Sequence, residues 1–181
     1  MSDIASRRGF LGALAGATAA LLIARPSLAL ASAPRVLKFN HLHTGEKVAI
    51  EYWNNGAYEP QGLGAINHLM RDFRTGDVHP IDPSLLDLLH ELKSRTETTR
   101  PFEIISAYRS PATNAILRGK REHSGVASQS LHLKGQAIDI RLGDVPLTTL
   151  KRAALASRRG GVGYYPDSDF VHVDTGRIRT W

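Results

Sequence analysis

Residues 130–142 read SLHLKGQAIDIRL, a polar turn that runs into an apolar strand. Gly135 follows Lys134 and permits a tight reversal of the chain. The residues after it are apolar and β-forming except for Asp139, which is therefore expected inside a buried strand. A buried carboxylate needs a partner that compensates for its lost hydration. Because the strand returns the chain beside the turn, we expect Asp139 to lie close to His132.

A later stretch supplies a third candidate ligand. The segment DFVHVDTG, residues 169–176, contains an alternating pattern that places His172 and Asp174 on one face of a strand. If that strand lies beside the strand of Asp139, then His132, Asp139 and His172 converge. Catalytic zinc sites use three nitrogen or oxygen ligands and leave a fourth position for water. Each residue alone has an ordinary structural explanation, whereas the combination indicates a metal site.

The remaining pattern favours an α+β fold with one compact domain. Strands are predicted at residues 35–40, 47–53, 101–108, 135–142, 160–165 and 169–176. Apolar stripes and helix-capping residues predict helices at residues 61–73, 83–92, 110–119 and 146–157. Helices come mostly first and strands mostly later, which favours a small antiparallel sheet flanked by helices over a doubly wound fold.

Composition narrows the classes of function. The 181 residues carry a formal net charge of +6, which suits an anionic partner. The basic residues are scattered along the chain, however, and such a pattern is also typical of an ordinary solvated surface. The chain has no cysteine, which excludes a disulfide framework, a thiolate zinc site and a cysteine nucleophile. We find neither an aromatic-basic RNA motif nor a clustered basic helix, so nucleic acid is not an expected partner.

The N-terminal residues 1–31 predict an export signal. SRRGFLG is followed by a run rich in Ala, Gly and Leu that is shorter than the roughly 20 residues of a membrane span. The pair Arg7-Arg8 resembles the twin-arginine signal, which predicts an exported, periplasmic product. Cleavage after Ala31 or Ala33 would leave a formal charge of about +4. An uncleaved signal anchor is the alternative, and it is the only membrane association that we expect.

The motifs resemble a known group of peptidases. The pattern S-x-H-x-x-G-x-A-x-D resembles the zinc D-Ala-D-Ala peptidase and hedgehog-type group, and it is matched by Ser130, His132, Gly135, Ala137 and Asp139. Similarity to the murein endopeptidase K-like family of exported peptidoglycan hydrolases extends over nearly the whole chain. That similarity is carried by the motif above and by LHTGE (42–46), AYRSPATN (107–114), GGVGYYPDSDFVHVDTG (160–176) and Trp181.

The resemblance implies a zinc metallopeptidase domain over residues 35–181. One Zn²⁺ would be bound by His132, Asp139 and His172. The implied substrates are peptidoglycan stem peptides, and the implied bond is the crosslink between two meso-diaminopimelate residues. Zinc in such enzymes polarises the scissile carbonyl and lowers the pKa of a water molecule.

The general base is left open between two carboxylates. In several relatives the base stands three residues before the last histidine ligand, a position that Asp169 occupies here. Asp169 can reach the catalytic water only if the strand begins after it, whereas Asp174 shares the face of His172. His123 is a third and weaker candidate.

Arg109 completes the expected catalytic set. The resemblance implies that an arginine here contacts substrate or stabilises the developing oxyanion, since a guanidinium stays charged and donates paired hydrogen bonds. The structural alternative is an ion pair with a carboxylate such as Glu103.

Two other functions fit the same motifs. A D-Ala-D-Ala-type carboxypeptidase would use the same ligands, and a non-catalytic wall-binding or regulatory module could keep zinc without a base. The presence of both Asp169 and Asp174 favours an enzyme. A transpeptidase is excluded because the chain has no cysteine nucleophile and no S-x-x-K motif.

Overall fold

The structure is a computed structural model that describes residues 33–119 and 127–181. The predicted export signal at residues 1–31 and the candidate base His123 lie outside these ranges, and both stay predictions. In the part of the chain that is described, no helix has both the length and the apolar character that crossing a membrane requires.

Within those ranges the chain forms eight strands, four α-helices and two short 3₁₀ helices. The 3₁₀ helices are Leu131–Lys134 and Pro166–Ser168. The strands and α-helices, in chain order, are β1 (Arg35–His41), β2 (Lys47–Asn54), β3 (Ala57–Tyr58), α1 (Pro60–Leu69), α2 (Pro83–Thr96), β4 (Phe102–Ser106), α3 (Pro111–Gly119), β5 (Ala137–Leu142), α4 (Leu147–Ser157), β6 (Gly161–Tyr165), β7 (Phe170–Asp174) and β8 (Arg179–Thr180).

The strands form a single mixed sheet in the order β3-β2-β1-β4-β5-β7-β6-β8. The α+β class is confirmed, but the sheet is larger than the small antiparallel sheet that we predicted. Strands β1 and β4 are parallel, as are β6 and β8, while the other neighbours are antiparallel. Helices α1 and α2 lie between β3 and β4 in sequence, and such a long connection allows β4 to join β1 in the same direction.

One face of the sheet packs against helices, and the other carries the candidate site. Alternate strand residues such as Phe39, Ile140 and Val171 are buried on one face, where α1, α2 and α4 complete the hydrophobic core. The intervening residues project from the opposite face, and they include Asp139 and His172. The core therefore holds the strands in place, and the candidate site is built on the face that the helices leave uncovered.

The first helix is shorter than its apolar stripe predicts. Helix α1 ends at Leu69 rather than Phe73, because the Asp72 carboxylate accepts hydrogen bonds from the backbone N–H of Arg74 at 2.9 Å and of Ser110 at 2.8 Å. Local bonds of this kind compete with helical hydrogen bonding and favour a turn. Asp72 thereby ties the turn that follows α1 to Ser110, the residue that precedes α3.

This connection depends on the charge of Asp72. Burial alone raises the pKa of Asp72, but the nearby hydroxyl of Thr113 and the N–H groups of Ser110 and Arg74 outweigh burial and lower the pKa to about 2. A depressed carboxyl pKa stabilises the folded state above the ordinary pKa of about 3.9, and the contribution disappears as pH falls through the folded-state value.

We expect the Asp72→Asn substitution to lower the free energy of unfolding by about 2 kcal/mol at pH 7, since a pKa difference of one unit corresponds to about 1.4 kcal/mol. The difference from the wild-type protein should shrink as pH falls from about 4 to about 2. Urea denaturation across this pH range measures the effect. Asp77→Asn, at an exposed position of the same turn, is the matched control. An equal loss at every pH would show that charge is not the cause.

Candidate metal centre

His132 is held by a short, tightly closed helix. The 3₁₀ helix Leu131–Lys134 begins after Ser130, whose hydroxyl accepts the His132 N–H at 3.4 Å, and it ends at Gly135 with φ of 64°. A Cβ at Gly135 would lie 2.2 Å from the carbonyl oxygen of Pro80. Glycine is therefore required here both by the backbone conformation and by space.

The three predicted ligands come together on the uncovered face. Strands β5 and β7 pair so that Asp139 lies directly opposite His172. The Oδ1 atom of Asp139 is 2.9 Å from Nδ1 of His172 and 3.3 Å from Nε2 of His132, and the two histidine nitrogens are 3.2 Å apart. All three residues are buried, and their candidate ligand atoms lie within 4.8 Å of one another.

The other nitrogen of each histidine ring is fixed by a hydrogen bond. Nδ1–H of His132 donates to the carbonyl oxygen of Ala107 at 2.6 Å, and Nε2–H of His172 donates to Oδ2 of Asp174 at 3.0 Å. These bonds leave Nε2 of His132 and Nδ1 of His172 as the ring nitrogens that face Asp139 and are available to a cation. Histidine ligands in metal sites are oriented by acceptors of this kind. The donor set of two imidazoles and a carboxylate therefore fits a divalent cation such as zinc.

The electrostatics of the three groups also favour a cation at their centre. Burial lowers the pKa of His132 and keeps its imidazole neutral, which is the ligating form. Burial alone would raise the pKa of Asp139, but the neighbouring His132 and His172 rings lower it, so the carboxylate stays ionised. Burial opposes charge on His172, yet its hydrogen bonds to Asp139 and Asp174 raise its pKa. The cluster thus attracts positive charge.

Asp174 is fully enclosed behind His172. Its Oδ2 accepts from His172 and from Nη2 of Arg179 at 2.6 Å, while its Oδ1 accepts from the backbone N–H groups of Gly161 and Gly176, each at 2.9 Å. Burial alone would raise the pKa of Asp174. The hydrogen bonds that it accepts have the larger effect, so the pKa is well below its ordinary value. Both oxygens are occupied by donors that hold the carboxylate in place.

Asp169 occupies a different environment. It has φ of 53° and immediately precedes β7, so the strand does begin after it, as a role for Asp169 in catalysis requires. Its side chain is 62% exposed and accepts from Nη1 of Arg141 at 2.7 Å. Nε of Arg141 also donates to Glu103 at 2.7 Å. The structure therefore places Asp169 at the start of β7, paired with Arg141 and apart from the hydrogen bonds that organise the three candidate ligands.

Arg109 lies beside the ligands rather than beside Glu103. Its Nε donates to the hydroxyl of Ser106 at 2.9 Å, and its Nη2 donates to Oδ2 of Asp139. Its backbone N–H donates to the carbonyl oxygen of His132 at 3.2 Å. The guanidinium is 13% exposed and lines the same cavity as the three candidate ligands.

A cavity of about 200 Å³ gives access to these residues. Aromatic side chains form one wall: Tyr165 stacks on Phe170 at 4.5 Å, and Nε1 of Trp181 donates to the hydroxyl of Tyr165 at 2.7 Å. The Trp181 ring also lies 5.2 Å from the ring of His172. A Cβ at Gly163 would approach the Trp181 ring to 2.8 Å, so glycine at this position lets the indole lie flat over β6.

Sequence reasoning did not identify several residues that support the site. Ser106 orients Arg109, the main-chain carbonyl of Ala107 orients His132, and Arg179 fixes Asp174. The acceptor at Ala107 is a backbone carbonyl, which every residue type has, so the sequence gives no sign of it. Arg179 belongs to no motif that we could interpret. The alternation of FVHVD did carry a signal, since it placed Asp174 and His172 on one face.

The chain is similar to a family of peptidoglycan endopeptidases. A protein family described as "Peptidoglycan L,D-endopeptidase MepK" matches residues 29–181. The peptidoglycan L,D-endopeptidase MepK of Escherichia coli (strain K12) is 42% identical over 179 residues, which cover 98% of this chain and 97% of that protein. The probable peptidoglycan L,D-endopeptidase MepK of Haemophilus influenzae (strain ATCC 51907 / DSM 11121 / KW20 / Rd) is 44% identical over 149 residues, which cover 82% and 79% of the two chains. The chain therefore belongs to the peptidoglycan L,D-endopeptidase MepK family.

Proposed function

We propose that this protein is an exported zinc metallopeptidase that hydrolyses peptide crosslinks of peptidoglycan between two meso-diaminopimelate residues. The observation that carries the proposal is the buried convergence of His132, Asp139 and His172 at a cavity that Arg109 also lines. When bound, zinc supplies Lewis acidity to the scissile carbonyl and lowers the pKa of a water molecule.

The protein residues prepare the site for that chemistry. Ala107 and Asp174 hold the two imidazoles so that each presents a lone pair to the centre. Arg109, anchored by Ser106, keeps a charged guanidinium next to the place where negative charge develops on the carbonyl oxygen. The aromatic wall formed by Tyr165, Phe170 and Trp181 offers apolar surface to the aliphatic part of a substrate side chain.

The names of the relatives support one type of bond. They are L,D-endopeptidases, which cut between an L and a D stereocentre inside a peptide. A crosslink between two meso-diaminopimelate residues has this arrangement, whereas a D-Ala-D-Ala terminus joins two D residues. The carboxypeptidase alternative therefore lacks the support that the endopeptidase has.

We assign different roles to the two candidate base residues. Asp174 is a positioning residue, because donors occupy both of its oxygens and it contacts His172 rather than the cavity. Asp169 is the candidate base, because 62% of its side chain is exposed to solvent and it directly precedes β7, the strand that carries His172.

Export follows from the same proposal. Peptidoglycan lies outside the inner membrane, and residues 1–31 supply a twin-arginine-like signal with cleavage after Ala31 or Ala33. The twin-arginine route moves folded proteins, so the metal could be loaded before export.

Digestion of muropeptide dimers with defined crosslinks tests the function. We expect the zinc-loaded protein to convert diaminopimelate–diaminopimelate dimers to monomers, and we expect the metal-free protein and a His172→Gln variant to leave them intact. Release of free D-Ala instead would establish the carboxypeptidase. Zinc-dependent binding without any released fragment would establish the non-catalytic module.

Substitution of the two aspartates separates their roles. Asp174→Asn should weaken zinc affinity about 10- to 100-fold, because the orienting carboxylate of His172 is lost. Asp169→Asn should retain stoichiometric zinc and lose turnover about 100-fold or more, as expected for a general base. Metal titration and steady-state kinetics measure the two effects. Full turnover by Asp169→Asn would remove Asp169 from the mechanism.

Arg109→Lys tests stabilisation of the oxyanion. Lysine keeps the charge but lacks the planar set of donors that can hold Ser106 and Asp139 together. We expect kcat to fall about 100-fold with zinc still bound, since loss of one oxyanion donor costs this much in other hydrolases. A change confined to KM would indicate that Arg109 binds substrate without stabilising the transition state.

A further inference from the structure

A second cavity, of about 590 Å³, opens on the same uncovered face of the sheet. It lies over β1 and β2, beside the turn that leads into β4. The charged and polar side chains that line it are Lys38, Asn40, Lys47, Arg100 and Glu103. None of the proposed catalytic steps uses this cavity.

The cavity carries an excess of positive charge. Lys38, Lys47 and Arg100 are exposed, and in residues 33–119 and 127–181 their side chains form no ion pair or hydrogen bond. The acidic residue of the lining, Glu103, is already paired with Arg141. Three cations without carboxylate partners therefore converge on one opening, which favours an anionic ligand.

The strand register places this cavity in line with the candidate metal centre. Asn40 lies opposite Glu103, Glu103 lies opposite Arg141, and Arg141 stands two residues from Asp139 on the same face of β5. Two strand spacings separate β1 from β5 and three separate β1 from β7. The spacing of about 4.8 Å per strand combines with the two-residue offset along the strands, at about 3.3 Å per residue. Asn40 therefore lies roughly 12 to 16 Å from the candidate ligands on β5 and β7.

That distance matches the reach of a short peptide. An extended chain advances about 3.3 to 3.6 Å per residue, so a stem peptide of roughly four residues spans about 13 to 14 Å. Stem peptides carry free carboxylates on glutamate and diaminopimelate, and these groups pair with lysine and arginine. A crosslinked substrate has a second stem peptide that must leave the metal centre in some direction, and the uncovered sheet offers a path lined by polar side chains.

We propose that the cavity formed by Lys38, Lys47 and Arg100 binds the free carboxylates of the stem peptide that extends from the metal centre across β5 and β4. This inference rests on the proposed function, because it names where one arm of the same substrate lies. It makes the two lysines and the arginine determinants of substrate affinity rather than of the chemical step.

The test compares two variants of the full, zinc-loaded protein. One variant is Lys38→Gln, Lys47→Gln, Arg100→Gln. The control is Arg95→Gln, Arg152→Gln, Arg158→Gln, which removes the same charge from exposed positions in α2, in α4 and at the residue that follows α4. On a crosslinked muropeptide dimer we expect the first variant to raise KM about tenfold with kcat and zinc content unchanged, and the control to leave KM within about twofold of wild type.

A second substrate tests the chemistry of the contact. In a dimer whose free carboxylates are amidated, the anion that the cavity would bind is absent. The ratio of KM between the first variant and wild type should then fall from about ten to about one. An unchanged ratio, or equal KM values for both variants on the unmodified dimer, would overturn the inference.

Equilibrium binding separates this inference from the proposed function. If the wild-type protein bound the dimer and did not cleave it, the proposed hydrolysis would fail, while a tenfold difference in Kd between the variants would still support the cavity. If the first variant lost affinity only for a DNA oligonucleotide or for vesicles of anionic phospholipid, the ligand assignment would be wrong whatever the turnover.

Discussion

The register between β5 and β7 is the constraint on which the site depends. It sets Asp139 opposite His172 on the uncovered face and, in the same step, sets Ile138 and Ile140 against the helices. A slip of one residue would move the carboxylate into the hydrophobic core and an isoleucine into the site. Such a slip is strongly disfavoured, since it would bury an ionised group without partners and expose apolar surface. The same alternation that builds the core thus fixes the spacing of two candidate ligands.

A second layer of hydrogen bonds orients the side chains that this register brings together. The 3₁₀ helix brings His132 over β5, and the Ala107 carbonyl selects which ring nitrogen faces Asp139. Asp174 does the same for His172, and Arg179 holds Asp174. Arg109 then neutralises part of the charge on Asp139 while it faces the cavity. Each group near the centre has one defined orientation, which is the condition for a pre-organised metal site.

Much of this arrangement could be predicted from sequence, for physical reasons that differ by element. Strand alternation predicted the β5 and β7 faces, and Gly135 predicted the turn that returns Asp139 to His132. The end of α1 could not be predicted, because it depends on a hydrogen bond from the backbone N–H of Ser110, far away in sequence, to the Asp72 carboxylate. The short strands β3 and β8 carry no periodicity, and the parallel pairing of β1 with β4 depends on how the helices pack. The hydrogen bond from His132 to the Ala107 carbonyl could not be predicted either, since a residue of any type has a backbone carbonyl.

The unequal support of the two histidines has a consequence for how the protein tolerates mutation. The acceptor for His132 belongs to the polypeptide backbone, so no side-chain replacement at position 107 deletes that oxygen, although a replacement could still shift it. The acceptor for His172 is a carboxylate that one base change in a codon can abolish, and it in turn relies on Arg179. Side-chain substitutions can therefore remove the support of His172 more easily than the support of His132. In a random mutagenesis experiment, the inactivating substitutions among these supporting residues should fall at Asp174 and Arg179, near the C-terminus.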